Sequence, residues 1–268
     1  MSLDEAPLLA ALRAGTPQLM LGVRSARTPE IVRIAHATGH HAIMVDLEHS
    51  SMSIDVAAQL CGAAGDLGLT AFVRIPEREY GLIGRLLDGG AHGIIAPRVE
   101  SVAAAQLIAD ACRFPPRGHR SQVGMVPQLG MVPTPAVAMN PRLNRQVIVK
   151  ILIESPAGID AAPAIAELGG VDIMAFGAND YTSEIGVPGD YSDPRVDAAI
   201  IELARAARSA GKLAMLGGIA GRELLVRYLD SGYSPLFMTG TDTDLVFDAA
   251  RVRADGFRAL GDSSEQET

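Results

Sequence analysis

Eight apolar runs, separated by amphipathic stretches, constrain the fold of this chain more than any other feature. The runs lie near 17–23 (PQLMLGV), 41–46 (HAIMVD), 70–75 (TAFVRI), 93–98 (GIIAPR), 147–153 (VIVKILI), 172–177 (DIMAFG), 212–217 (KLAMLG) and 235–239 (PLFMT). Each is continuous in hydrophobicity rather than alternating, which is the pattern of a parallel strand buried on both faces. The stretches between them have helical spacing. TPEIVRIAHATG begins on Thr-Pro and stops at Gly, and Gly follows many of the others, where a left-handed C-cap is wanted. Repeated β–α alternation predicts an α/β fold, a closed (β/α)₈ TIM barrel in a single domain over residues 1–258. An open doubly wound sheet is the structural alternative. Residues 259–268 read as a polar C-terminal tail.

Composition narrows the function. Of 268 residues, 48% are hydrophobic, enough for a substantial core, and Trp is absent, so that core is aliphatic. The net charge is −8 with no basic run, which argues against nucleic acid as a partner. Cys61 and Cys112 are the only cysteines, too few for a disulfide framework, and they read as reduced thiols of a cytoplasmic protein. The opening MSLDEAPLLAALRAG is acidic where a signal peptide is basic, and no apolar run is long enough to span a membrane. Neither GxGxxG after the first strand nor a GxxxxGK[ST] loop is present.

In a barrel of this kind, chemistry sits at the C-terminal ends of the strands. Asp46, Glu48 and His49 follow the second run, Arg74 ends the third, Glu154 ends the fifth, and Asn179 and Asp180 follow the sixth. Glu154 and Asp180 come from adjacent strand ends. Two carboxylates, completed by water and substrate oxygens, suit a hard divalent cation; the alternative is that each caps a helix or pairs with Arg. Asp46 precedes His49 by three residues, so its carboxylate is placed to orient the imidazole as a general base; the alternative is a histidine simply hydrogen-bonded in a loop. Arg74, behind an apolar strand, needs an anion, either a protein carboxylate or a developing enolate oxygen. Asp88 lies at a helix C-terminus, where the dipole disfavours an acid, so a compensating partner or role is expected. The segment 114–145, rich in Pro, Met and Gly with GMVP repeated, is longer than a simple connection; part of it is expected to cover the site, or else to pack between subunits.

VDLEHS (45–50), FVRIP (72–76), LLDGGAHGIIAPRVES (86–101), RFPPRGHRS (113–121), ILIES (151–155), FGANDYTSEIG (176–186) and GTDTDL (240–245) together resemble the HpcH/HpaI aldolases of the HpcH/HpaI aldolase/citrate lyase superfamily, in order, over roughly residues 8–255. The resemblance implies a class II aldehyde-lyase that forms or cleaves 4-hydroxy-2-oxo acids through a pyruvate enolate. It implies Glu154 and Asp180 as ligands of Mg²⁺, Mn²⁺ or Co²⁺, and His49 with Asp46 as the proton-transfer pair. Arg74 would stabilise the enolate, Asp88 would serve the transition state, and the Asn179–Asp180 amides would hold the substrate carboxylate. The partners implied are a pyruvate-like 2-oxo acid, an aldehyde, and further copies of the chain in a homohexamer, a trimer of dimers, with the C-terminal helix exchanged. Related chemistries on the same enolate are oxaloacetate decarboxylation and citryl- or malyl-CoA cleavage; a non-catalytic binding barrel is the remaining class. The chain departs from the family pattern in three places: Leu152 where many members have Gln, no Trp in the first strand, and GANDY where GPxDL is common.

Overall fold

The computed structural model describes residues 5–218 and 222–264. Eight parallel strands appear where the apolar runs place them: β1 (Gln18–Val23), β2 (Ala42–Asp46), β3 (Thr70–Arg74), β4 (Gly93–Ala96), β5 (Ile148–Ile153), β6 (Ile173–Gly177), β7 (Leu213–Gly217) and β8 (Leu236–Thr241). They pair in the order β7-β6-β5-β4-β3-β2-β1-β8. Between β7 and β8 the wall is joined by a single parallel bridge, Ala214 to Tyr233, supported by Ser234 N–H donating to Ala214 O at 2.8 Å. The result is a nearly closed (β/α)₈ barrel.

Eleven α-helices accompany the strands among the described residues. They are α1 (Pro7–Arg13), α2 (Glu30–Ala37), α3 (Ile54–Asp66), α4 (Ile83–Asp88), α5 (Val102–Cys112), α6 (Ala136–Gln146), α7 (Pro156–Ala166), α8 (Ala178–Glu184), α9 (Pro194–Ser209), α10 (Arg222–Asp230) and α11 (Asp242–Ser264). Ser53, Ser101 and Ser155 cap α3, α5 and α7, each Oγ accepting a first-turn N–H. No described helix is long and apolar enough to cross a membrane.

The continuous hydrophobicity of the strands resolves into two cores. Successive side chains of a strand point to opposite faces. In β5, Val149, Ile151 and Ile153 pack outward under the helices, while Ile148 and Leu152 face the barrel interior. The same division separates Ile43 and Val45 from Met44 in β2, and Ala214 and Leu216 from Met215 in β7. The lower end of the interior is stoppered by α1, whose Leu8, Leu9 and Leu12 join Met20, Phe72, Ile148 and Leu213 in the inner core. Sequence reading did not anticipate this helix.

One expectation is corrected, and two others are placed. The segment after α5 does not cover the C-terminal rim. It folds over Phe114, Val126, Met139 and Leu143 as a small core of its own, and Gln128 Nε2 donates to Leu87 O (2.7 Å) and Ala91 O (2.9 Å) beside the start of β4. The reason is topological: a connection from a helix to the next strand lies at the N-terminal end of a barrel, away from the rim. Asp88, closing α4 just before β4, is at that same end, where Arg120 Nη2 donates to its Oδ1 at 2.8 Å. It stands outside the strand-end site of its own chain, and Arg120 is the compensating partner. The polar segment expected from 259 is helical as far as Ser264, where α11 ends; residues 265–268 lie outside the described residues.

Candidate active site

The inward face of each strand, extended by two residues, gives the site. Met20 and Gly22 lead to Arg24, Met44 to Asp46, Phe72 to Arg74, Leu152 to Glu154, and Ala175 to Gly177. Arg24, Arg74, Glu154, Asn179 and Asp180 line one cavity of about 490 Å³, whose wall continues along β7 and β8 through Met215, Gly217 and Met238.

Asp46 is fully buried and carries two arginines. Arg74 donates through Nε to Oδ1 at 3.0 Å and through Nη2 to Oδ2 at 2.6 Å, and Arg24 Nε donates to Oδ2 at 2.7 Å. Burial alone would raise the Asp46 pKa. The hydrogen bond and charge of Arg74, with Arg24, outweigh it and bring the carboxyl down to about 2. Asp46 therefore stays ionised, and Arg74 is held above its already high ordinary value despite its burial.

The expected contact of Asp46 with the His49 imidazole is not made. Asp46 Oδ1 accepts instead from the backbone N–H of Glu48 (3.1 Å) and His49 (3.2 Å), so the carboxylate fixes the loop rather than the ring. Its outer oxygens are already committed to the arginines. The His49 ring stands exposed at the rim with Nε2 3.7 Å from Glu48 Oε2. Partial burial, then the charge of Arg74, moves its pKa below the usual histidine value. Glu48 also pairs with Arg74 Nη1 at 3.2 Å, and desolvation raises its pKa.

Glu154 leaves β5 immediately before Ser155, whose Oγ accepts from Gly158 N–H at 3.1 Å and starts α7. The carboxyl folds over Gly177 of the adjacent strand. A Cβ there would run into it, so glycine supplies the space. Arg98, in a left-handed backbone conformation (φ 49°), points its N–H at Glu154 Oε2, 2.9 Å away. Such a conformation is costly for a non-glycine residue and is kept where surroundings demand it. Burial raises the Glu154 pKa to about 7; the Arg98 N–H opposes the rise, and the neighbouring Asp180 and Glu48 charges add to it.

Asn179 and Asp180 lie in the first turn of α8, which begins directly at the end of β6. The Asn179 Oδ1 accepts from Tyr191 OH, and the Asn179 backbone carbonyl accepts from the hydroxyls of Thr182 (2.9 Å) and Ser183 (3.0 Å). Across the rim, Asp242 holds the loop after β1 by accepting from the N–H groups of Arg24, Ser25 and Ala26 at 2.7–2.9 Å.

A divalent cation fits these residues. Two carboxylates from adjacent strand ends, one nested in a glycine cradle and disfavoured as an anion by burial and then by its acidic neighbours, offer an oxygen-donor pair beside a cavity. Among the described residues no group of three or more His, Cys, Asp or Glu side chains is arranged to enclose a metal ion. With two carboxylate donors, a cation held here would leave positions for water and substrate. Arg24, Arg98 and Gly177 were not singled out from the sequence. The inward register of β1 and β6 points to Arg24 and Gly177; the backbone role of Arg98 has no such signal.

The HpcH/HpaI aldolase/citrate lyase family model matches residues 18–249. A 4-hydroxy-4-methyl-2-oxoglutarate aldolase of Hapsidospora irregularis is 37% identical over 207 residues, covering 76% of this chain and 77% of that protein. A hydroxypyruvate/pyruvate aldolase of Delftia acidovorans is 31% identical over 264 residues, covering 97% of this chain and 95% of that protein. Among solved structures, an HpcH/HpaI aldolase from Desulfitobacterium hafniense superposes with a TM-score of 0.85 at 25% identity, covering 94% of this chain and 96% of the other.

Proposed function

The chain belongs to the HpcH/HpaI aldolase/citrate lyase family, a lyase family acting on 2-oxo acids and generally dependent on a divalent metal, and from that premise we propose a division of labour among its residues. The reaction is the making or breaking of a 4-hydroxy-2-oxo acid, between a pyruvate-like donor and an aldehyde. The observation that carries this reading is the Glu154–Asp180 pair beside Arg74 in one cavity.

Glu154 and Asp180 would hold Mg²⁺, Mn²⁺ or Co²⁺. When bound, the cation polarises the keto group and acidifies the adjacent carbon. Asn179 and Asp180 offer the substrate carboxylate the first-turn amides of α8, which have no partners within the helix. Arg74 has five N–H donors. Its contacts to Asp46 and Glu48 use Nε, Nη1 and Nη2 once each, so two N–H groups remain for an oxygen that gains negative charge. Asp46, itself held by Arg24, keeps that guanidinium in place. His49, favoured as a neutral base at the rim, moves the proton between donor and solvent.

The assembly reading is a homo-oligomer, a hexamer, in a cytoplasmic setting. It is supported by exposed apolar residues on α11, among them Val246, Phe247, Val252 and Phe257, and by two buried free thiols. Exchange of α11 between neighbours would cover that face.

The test is pyruvate methyl-proton exchange in D₂O, followed by NMR. Metal-loaded protein is expected to exchange the methyl protons, chelated protein to stop, and Mg²⁺, Mn²⁺ or Co²⁺ to restore the exchange. Undiminished exchange by metal-free Glu154→Ala protein would sink the proposal.

A further inference from the structure

A lysine sits where the barrel interior calls for an apolar residue. Lys150 occupies the middle of β5, on the same inward face as Leu152 and Glu154. It lies on one register row with Arg74: Arg74 is paired with Ile95, and Ile95 with Lys150. Arg74 and Lys150 are thus two strands apart, on either side of Ile95, and all three line the cavity with Met44 and Met215. Lys150 is only 3% exposed. Among the described residues its Nζ has no hydrogen-bond or ion-pair partner.

Such an amine is expensive to keep. An ammonium buried to this degree without a protein acceptor gives up most of its hydration, and methionine would fill the same space without that penalty. The surroundings register the conflict: burial, then the charge of Arg74, depress the Lys150 pKa to about 7, while Glu154 opposes them. The row above offers no acceptor, because Leu152 is apolar. Lys150 lines the same cavity as Leu152, Glu154 and Asp180, so its side chain projects into the space beside the carboxylate pair.

We propose that Lys150 is a substrate-contacting residue, its Nζ donating from the floor of the cavity to an oxygen of the bound 2-oxo acid. The acceptor that the protein withholds is supplied by the ligand. Arg74 approaches the substrate from the β3 side and Lys150 from the β5 side. This inference rests on the 2-oxo acid reading above and adds a residue to it.

Oxalate, a planar dianion with the oxygen layout of a 2-oxo acid enolate, is the probe. It is titrated calorimetrically into Mn²⁺-loaded wild type and Lys150→Met. Expected are at least tenfold weaker oxalate binding by the variant, unchanged Mn²⁺ affinity, and a ligand-free melting temperature equal to or above that of wild type. Equal oxalate affinities overturn the inference alone; a wild type that binds no oxalate with Mn²⁺ present overturns the 2-oxo acid reading and the inference with it. If Lys150→Met does not fold, reductive methylation of wild-type Lys150 is followed by peptide mass instead. Saturating oxalate is expected to slow it, and an unchanged rate overturns the inference.

Discussion

Arg74 closes on Asp46 through two parallel hydrogen bonds, 3.0 and 2.6 Å long, and the acceptor is fully buried. The Asp46 pKa falls from an ordinary 3.8 to about 2 in the folded chain. A depressed carboxylate stabilises the fold above its unfolded value, and that stabilisation is lost as pH falls through the folded value. Asp46→Ala leaves two arginines without their anion and is expected to cost about 3–5 kcal/mol at pH 7. The gap between wild type and variant should narrow below pH 4. Chemical denaturation at several pH values reads both, and a gap independent of pH would contradict the assignment.

Gly177 is expected to be as sensitive as the carboxylate it makes room for. Gly177→Ala should displace Glu154 and weaken Mn²⁺ binding by at least tenfold, while far-UV circular dichroism stays that of the wild type. The steric cost to stability is about 1–3 kcal/mol. Metal titration with a calorimetric readout tests it, and an unaltered affinity would show that the cradle is not needed.

His49 is exposed, and its imidazole is favoured in the neutral form by partial burial and by Arg74. The rate is therefore expected to rise with pH, level off below the usual histidine range, and remain flat towards neutrality. His49→Gln should lower kcat by about 10²–10⁴-fold and abolish the rising limb, with metal affinity unchanged. A pH–rate profile of both proteins decides; a rising limb that survives in the variant would assign it to another group.

The strand positions and the polar strand ends around Glu154 and Asp180 were legible because buried strands write continuous apolar runs, and because strand ends are where a barrel displays polarity. The strand positions found from Leu19, Ile43 or Val149 needed only hydrophobicity. What a side chain meets is a different matter. The spacing of Asp46 and His49 suggested a contact within one loop, but Arg24 and Arg74 arrive from the neighbouring strands and take the carboxylate first. The position of Asp88 and of the 114–145 segment, away from the strand-end rim of their own chain, has a simpler origin. Asp88 closes a helix and the 114–145 segment follows one, so both face the helix-to-strand end of the barrel, which follows from chain direction. The helix α1 was overlooked because its leucines precede the first strand and have no neighbours in sequence to signal what they fill.

That helix sets a rule of traffic. With Leu8, Leu9 and Leu12 plugging the base, molecules come and go at the opposite end. On the proposed reading, the keto acid would bind deep, beside Arg74 and the carboxylates, and the aldehyde above it. Whatever enters first must leave last. Steady-state kinetics in the cleavage direction should accordingly show aldehyde departing before pyruvate, with pyruvate competitive against the cleaved substrate and the aldehyde noncompetitive. A stoppered barrel turns depth into sequence.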